Sequence, residues 1–212
     1  MKTFVMAAAA AVVGGSVGAT TISIDDFTTT QGVVSAPPTA SDTQTAPAGA
    51  IGDRTITAES TVQGFTTGRI NFFDTELFQV SNDDGAQGVV TVSYDLGGLD
   101  LTVGGLDTIV VGVESIDLTG LFTVDVDGTT AGSTVSTTGD LNFAFDDFTG
   151  ADFTSVDTLS FSVGSNGTDS LDSSFTFIGV QDLQANVVPL PAGGALLLTG
   201  FAGLVALRRR KG

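Results

Sequence analysis

Short segments of alternating apolar and polar residues run through most of the sequence, and this pattern is its strongest constraint on the fold. Alternation with a period of two places successive side chains on opposite faces of a β-strand. Between residues 20 and 187, no stretch of 12 or more residues keeps the helical period of 3.6. Gly, Asn and Asp clusters separate the segments about every 8–12 residues, a spacing typical of β-sandwiches. The clearest segments are 20–24, 54–58, 89–94, 108–113, 121–126, 141–145, 159–163 and 175–180.

We therefore predict an all-β fold for residues 20–187, an antiparallel β-sandwich of about 8–10 strands with a jelly-roll arrangement. The segment 35–50 interrupts the pattern, because it contains Pro37, Pro38 and Pro47 among Ala, Thr, Ser and Gly. We expect a long surface loop there. The composition fits an unconstrained insertion, which we favour, and also a glycosylated or partner-binding loop.

The composition excludes several kinds of chemistry. The 212 residues include no Cys, no His and no Trp, and only one Tyr. Zinc and haem sites lose their usual ligands, and catalysis by Ser–His–Asp or Cys–His is impossible. Hydrolysis by a pair of carboxylates needs neither residue. However, no motif sets two acids across a cleft, and we expect no enzymatic activity. A secreted polysaccharide hydrolase is the third of our functional hypotheses.

The charge is distributed very unevenly along the chain. All 24 acidic residues lie between positions 20 and 187, where Arg54 and Arg69 are the only basic ones, so this region has a formal charge of 2 − 24 = −22. Such a surface repels nucleic acid and anionic lipid headgroups. It favours divalent cations or a salty medium, although solubility alone would also explain the acidity. Nucleic acid is therefore not an expected partner.

Residues 1–19 have the three parts of a secretory signal peptide. Lys2 provides the positive charge, residues 4–13 form an apolar run, and small residues precede Ala19. We predict that signal peptidase cleaves between Ala19 and Thr20. Ten strongly apolar residues are too few to span a hydrocarbon core of about 30 Å.

The last 25 residues, 188–212, form a second three-part signal. An extended Pro-containing entry precedes an apolar segment, 190–207, of 18 residues. As a helix this segment is about 27 Å long and could span the membrane before processing. A basic stop, 208–211, then predicts that the tail lies in the cytoplasm. The entry consists of Val188, Pro189, Leu190, Pro191 and Ala192, and the stop of Arg208, Arg209, Arg210 and Lys211.

This tail resembles the VPLPA variant of the PEP-CTERM sorting signal, in the order, spacing and position of its three parts. The resemblance is confined to residues 188–212. It implies export by a Gram-negative bacterium, recognition by an exosortase-type membrane protease, and a link to exopolysaccharide and biofilm. We accordingly expect an exported protein of the cell envelope, cell surface or extracellular matrix.

Two Asp-containing turns have the composition of cation sites. Asp125 and Asp127 precede a glycine, and Asp83 and Asp84 lie in an Asn-Asp-Asp-Gly sequence. Carboxylate and carbonyl oxygens are the ligands of Ca²⁺, and these four residues could hold one structural Ca²⁺ ion. Aspartates that bond their own backbone in turns give the same pattern, and this is the interpretation we favour.

The main functional hypothesis is therefore a structural or adhesive protein linked to exopolysaccharide. The alternative is a carbohydrate-binding or Ca²⁺-dependent lectin-like module. Sugar rings usually stack on exposed Trp or Tyr. The chain has no Trp, and Tyr94 alternates with Val in a predicted strand. Recognition by polar side chains remains open.

Overall fold

The alternating segments pair into two antiparallel β-sheets that pack face to face. The structure is a computed structural model that describes residues 21–35, 39–60, 64–71, 73–167 and 170–183. Apart from a 3₁₀ turn at Phe145–Asp147, its regular elements are all strands. In chain order they are β1 (Thr21–Asp25), β2 (Gln31–Ser35), β3 (Thr39–Gln44), β4 (Asp53–Ser60), β5 (Thr66–Ile70), β6 (Phe78–Asn82), β7 (Gly88–Leu99), β8 (Thr108–Ile116), β9 (Gly120–Val126), β10 (Thr129–Val135), β11 (Gly139–Ala144), β12 (Val156–Gly164) and β13 (Asp172–Gln181).

The larger sheet has seven strands in the order β11–β8–β13–β6–β5–β2, and β1 also pairs with β13. β13 is the hub of this sheet. Its first residues, Asp172 to Phe175, pair with β6, and its last residues, Ile178 to Gln181, pair with β1. Its other edge pairs with β8 along most of its length. The smaller sheet has six strands in the order β10–β9–β12–β7–β4–β3.

Phenylalanine rings fill the space between the two sheets. Phe175 of the larger sheet lies 5.2 Å from Phe161 and 5.6 Å from Phe122 of the smaller one, between ring centroids, in edge-to-face geometry. Phe78 stacks on Phe175 at 5.6 Å. All four rings are fully buried. Burying each contributes about 1.5–3 kcal/mol, and each favourable ring pair adds about 0.5–1.5 kcal/mol.

A buried polar cluster joins the two sheets at another place; we call its members Asp25, Gln31, Gln44, Arg54 and Tyr94 the Arg54 cluster. Arg54 and Asp25 are both 0% exposed, with Arg54 Nη1 2.8 Å from Asp25 Oδ2. Tyr94 donates its hydroxyl to the same oxygen at 3.0 Å, and Arg54 Nε donates to Gln31 Oε1 at 2.7 Å. Burial raises the pKa of Asp25 against the opposing effect of Arg54, and raises that of Tyr94 well above its usual value.

The predicted all-β sandwich is confirmed, but the strand count is not. The described residues contain thirteen strands, more than the predicted 8–10. The predicted loop at 35–50 is wrong over Thr39–Gln44, which forms β3 and pairs with β4 from Thr39↔Glu59 to Gln44↔Arg54. Thr39, Ser41 and Thr43 alternate in this segment, and β-branched residues favour extended backbone. Pro37 and Pro38 precede this strand in the sequence, and the strand itself contains no proline.

The two predicted targeting signals, 1–19 and 188–212, lie outside the described residues. The Ala19–Thr20 cleavage site, the apolar segment 190–207 and the basic stop 208–211 therefore stay predictions. Within the ranges that the structure describes, no helix has the length and apolar character needed to cross a membrane.

Candidate functional site

A polar groove crosses the outer face of the larger sheet, over strands β5, β6, β13 and β8. Its volume is about 330 Å³. We call it the Arg69 groove. The side chains on its outward-facing positions are Thr67, Arg69, Gln79, Ser81, Ser115, Asp172 and Ser174, and Asp83 lies at one end.

Strand register brings these side chains together. Arg69 of β5 pairs with Gln79 of β6, Gln79 pairs with Ser174 of β13, and Ser174 pairs with Ser115 of β8. Directly paired residues project from the same face of a sheet, with Cβ atoms about 4.5–5.5 Å apart. The four side chains therefore form one continuous row across four strands.

A second row runs parallel to the first, one pleat away. It consists of Thr67, Ser81 and Asp172, paired across β5, β6 and β13. Residues two apart along a strand are separated by about 6.7 Å. The two rows thus form a ladder of hydrogen-bonding groups, one row four strands wide and the other three strands wide.

Arg69 is the cationic side chain of the groove, beside the two acids Asp83 and Asp172. Its stem packs over Gly32 of β2, where an added Cβ atom would lie 3.5 Å from Arg69 Cγ. The other arginine of the described ranges, Arg54, is sealed in the core. Arg69 is therefore the one partly exposed cationic side chain in the described part of the chain, and a guanidinium carries five N–H groups in a fixed planar arrangement.

Two hydroxyls and the start of β13 are held in place in the groove. Ser115 Oγ and Ser174 Oγ lie 2.7 Å apart, within hydrogen-bond distance. Asp117 Oδ1 accepts a hydrogen bond from the backbone N of Asp172 at 2.8 Å, which fixes the start of β13. Such fixed groups lose little conformational freedom when they bind a partner.

An exposed aromatic ring lies beside one end of the groove. Phe65 directly precedes β5, and alternation puts it on the same face as Thr67 and Arg69. Its backbone N donates to Asp83 Oδ2 at 3.3 Å, and its carbonyl accepts from Asp83 N at 3.0 Å. The side chain is 48% exposed. A ring in this position offers an apolar face next to the polar ladder.

Two buried polar atoms lie in the strands beneath the groove. Thr66 Oγ1 donates to Asn82 Oδ1 at 2.7 Å. The other polar atom of this side chain, Asn82 Nδ2, has no hydrogen-bond partner among the described residues. Ser173 Oγ also has none. Each such atom costs about 1–3 kcal/mol. The two residues are buried on β6 and β13, and the unpaired atoms lower the stability of this part of the sheet.

The predicted cation residues are divided between the two sheets. Asp125 and Asp127 lie at the β9–β10 hairpin of the smaller sheet, whereas Asp83 and Asp84 follow β6 of the larger one. Asp125 accepts from Gly128 N and Thr130 Oγ1, at 2.9 and 2.8 Å. The described ranges hold no group of three or more acidic, His or Cys side chains that could bind a metal ion. The Ca²⁺ site stays a prediction.

Asp127 has a clear structural role in this hairpin. Its φ angle is +48°, a left-handed conformation that Asp tolerates better than most residues. Its carboxylate accepts from Thr158 N at 2.7 Å and from Asp157 N at 3.2 Å. These contacts tie the hairpin to the neighbouring strand β12.

Sequence reasoning missed the groove residues, with one partial exception. Arg69 was visible as one of only two basic residues in a strongly acidic region, and this scarcity was a signal. Gln79, Ser115 and Ser174 are far apart in sequence, and only the strand register unites them.

No family model matches the sequence, and no curated protein matches it either. Among solved structures, a family 11 carbohydrate-binding module from Clostridium thermocellum, in complex with a β-1,3-1,4-mixed-linked tetrasaccharide, is 13% identical with a TM-score of 0.39, over 76% of this chain and 94% of that one. The family 11 module of a cellulosomal cellulase from the same organism gives 13% and 0.39, over 78% and 95%. Likenesses this distant do not bear on what this chain binds.

Proposed function

We propose that this protein is a non-catalytic carbohydrate-binding module, and that the Arg69 groove holds a neutral glycan. The observation that supports this most directly is the row of Arg69, Gln79, Ser174 and Ser115 across four strands. Sugars present closely spaced hydroxyls, and guanidinium, amide and hydroxyl groups can donate to them or accept from them. An open groove suits one chain of a polysaccharide.

Charge favours a neutral glycan over an anionic one. Asp83 and Asp172 border the groove, and residues 20–187 have a formal charge of −22. A polyanion would be repelled by this field at low and moderate ionic strength. Arg69 would then act as a multiple hydrogen-bond donor rather than as the partner of a carboxylate or sulfate.

Phe65 compensates for the absence of tryptophan. One face of a pyranose ring is lined by C–H groups and packs against aromatic rings. Phe65 offers such a ring next to Asp83 at the groove end. The sugar bound there would stack on Phe65, and the following sugars would contact the polar ladder.

Binding without catalysis fits the position of Asp25, a carboxyl whose pKa burial raises. A glycosidase needs a carboxylic acid of raised pKa at the scissile bond, opposite a second carboxylate. Asp25, whose pKa burial raises, is sealed in the Arg54 cluster and cannot reach a substrate in the groove. Its partner there is a buried arginine.

A glycan array followed by calorimetry tests this proposal. The double variant Arg69→Met, Gln79→Ala keeps the arginine stem but removes the donors at the centre of the row, and we expect affinity for the best glycan to fall about 10–100-fold. Phe65→Ala should weaken binding by a smaller factor. The matched control is Phe73→Ala, which removes an 84% exposed ring from the β5–β6 loop. Equal losses for both Phe variants, or no loss for the Arg69 double variant, would contradict the groove assignment.

We also propose that the tail 188–212 sorts the protein to the cell envelope through an exosortase-type protease. A protease reads extended backbone, and Pro189 and Pro191 keep the entry segment out of a helix. The intact mass of protein recovered from the cell surface or the medium tests this. We expect a C-terminus within or near residues 188–192, and a chain that still ends in the basic stop would show an ordinary anchor. Changing both prolines to Ala should block processing but leave insertion unchanged.

Sorting and binding together give the protein a structural or adhesive role. A glycan-binding domain released at the cell surface would associate with exopolysaccharide there. This combination joins the two leading hypotheses from the sequence, since the tail determines the location and the groove provides the contact.

A further inference from the structure

The outer face of the smaller sheet bears a regular field of hydroxyl groups, which we call the hydroxyl face. One row pairs Thr43 of β3 with Thr55 of β4, Ser93 of β7 and Ser160 of β12. All four side chains are at least partly exposed. This row has one hydroxyl on each of four adjacent strands.

A second row lies one pleat away on the same face. It runs through Thr57 of β4, Thr91 of β7, Ser162 of β12 and Thr123 of β9. Adjacent strands are about 4.7–4.9 Å apart, and alternate residues of one strand are about 6.7 Å apart. The hydroxyls therefore repeat in two directions with fixed spacings.

The two rows of the hydroxyl face contain no charged side chain, but carboxylates lie next to them on the same face. None of the eight positions is Asp, Glu, Lys or Arg. Asp125 of β9 continues the first row beside Ser160. Asp53 pairs with Asp95 one pleat beyond that row, and Glu59 follows one pleat beyond the second. These four carboxylates repel an anionic partner, and the uncharged hydroxyls of the two rows favour a neutral one.

Hydrogen bonds between neighbouring side chains stabilise the pattern. Thr43 Oγ1 and Thr55 Oγ1 lie 2.9 Å apart, and Thr91 Oγ1 and Ser162 Oγ lie 2.8 Å apart. Such pairs restrict the rotamers of both partners, and each hydroxyl keeps further capacity to donate or accept. The face is thus ordered before any partner arrives.

The chemistry of the face selects among partners. Protein interfaces need a core of aromatic and aliphatic side chains, and the two rows contain none. Nucleic acids and anionic lipids need basic residues, which are also absent from the rows. What remains is an uncharged partner that presents many hydroxyls at regular spacing.

We propose that the hydroxyl face adsorbs to the ordered surface of a neutral, insoluble polysaccharide, separately from the Arg69 groove on the opposite sheet. The strand spacing is close to the advance per sugar along an extended β-linked chain. A packed polysaccharide surface offers hydroxyls in two dimensions and can use both rows together. A single flexible chain would use only one row and would lose more conformational freedom.

Adsorption of the full-length protein to microcrystalline cellulose and to chitin, measured in 1 M NaCl, tests this proposal. The triple variant Thr55→Val, Thr57→Val, Thr91→Val preserves shape and strand propensity but removes three hydroxyls. We expect its partition coefficient on at least one of the two solids to fall at least tenfold, with an unchanged circular dichroism spectrum at the assay temperature. Thr134→Val, on edge strand β10 outside both rows, is the matched control and should adsorb normally.

The groove and the hydroxyl face can be separated in the same assay. The Arg69→Met, Gln79→Ala variant should lose soluble glycan binding but keep adsorption, and the triple variant should do the reverse. If the unmodified protein bound no soluble glycan but still adsorbed to a solid, the groove proposal would be refuted and the proposal for the hydroxyl face would stand. Adsorption of the triple variant equal to that of the unmodified protein would overturn it. The proposal would also be overturned if the protein adsorbed to neither cellulose nor chitin, including the case in which it binds ice crystals instead.

Discussion

Replacing Arg54 with Met should destabilise the protein more than any change on its surface. The substitution keeps the aliphatic stem but removes the partner of Asp25, which is 0% exposed. Removing one partner of a buried ion pair costs about 3–5 kcal/mol, because the remaining charge stays desolvated. For a domain of this size the melting temperature should fall by roughly 6–20 °C, at about 2–4 °C per kcal/mol.

The contacts of Arg54 explain why the loss should lie in the upper part of this range. Beyond Asp25, its guanidinium donates to Gln31 Oε1 at 2.7 Å and to the carbonyl of Thr29 at 2.7 Å. These acceptors lie on β2 and on the segment that precedes it, whereas Arg54 lies on β4 of the other sheet. The variant therefore loses hydrogen bonds between the sheets in addition to the ion pair.

The pH dependence of this loss provides the sharper test. Burial raises the pKa of Asp25 in the folded protein above its ordinary value of 3.8, and Arg54 is the main group that opposes this rise. Without Arg54 the folded state binds a proton at a higher pH, whereas the unfolded chain still titrates near 3.8. The variant should therefore regain stability as the pH falls from 8 towards 5.

Urea denaturation at pH 5 and pH 8 measures both effects, with the midpoint interpreted at constant m. The double variant Asp25→Asn, Arg54→Met should lose less than the sum of the two single losses, because it leaves no unpaired charge. A loss below about 1 kcal/mol, or one that is equal at the two pH values, would refute the assignment of a buried, charged pair.

Three further predictions concern other parts of the sandwich. Tyr94→Phe should cost about 1.5–3 kcal/mol of unfolding free energy, because it removes a buried hydrogen bond to a charged acceptor. The pKa of Tyr94 is raised in the folded state, so the unmodified protein should lose stability as the pH rises above about 10. Thermal melts across pH 8–11 check this loss. Gly68→Ala should cost about 1–3 kcal/mol by urea denaturation, because the added Cβ atom would lie 2.5 Å from Val90 Cγ1 of the facing sheet. NaCl should raise the melting temperature by screening the charge of −22, and millimolar Ca²⁺ added over 1 M NaCl should cause no further rise if Asp125 and Asp127 are turn residues.

The sequence pattern predicted the strands whose inward side chains are apolar, and it failed where they are not. β12 alternates buried Leu159, Phe161 and Val163 with serines, and its prediction is confirmed. β5 presents Thr66, Gly68 and Ile70 to the interior, so it has only one large apolar residue and no visible period. The facing side chains of the other sheet supply the apolar contacts that Gly68 lacks.

The candidate sites could not be predicted for a different reason. Gln79, Ser115 and Ser174 lie on strands that are far apart in sequence, and each is an ordinary polar residue in its own segment. Pairing register determines which of them meet, and a shift by one residue would send every side chain to the opposite face. Bulges in the pairing of β13 with β8, near Ser174 and Phe175, make this register harder still to infer.

The sandwich also protects its edges, and this matters if both outer faces bind glycans. A protein concentrated in a matrix would aggregate if its edge strands paired with other copies, and charges on the core-facing side of an edge strand prevent such pairing. Asp42 of edge strand β3 sits opposite the buried Ile56, so its charge lies on the side that faces the core. The side chain is nevertheless exposed, because β3 is the last strand of its sheet. Another strand added at this edge would bury Asp42 without a partner, which is unfavourable. Sheet extension between copies is therefore disfavoured at edge strand β3.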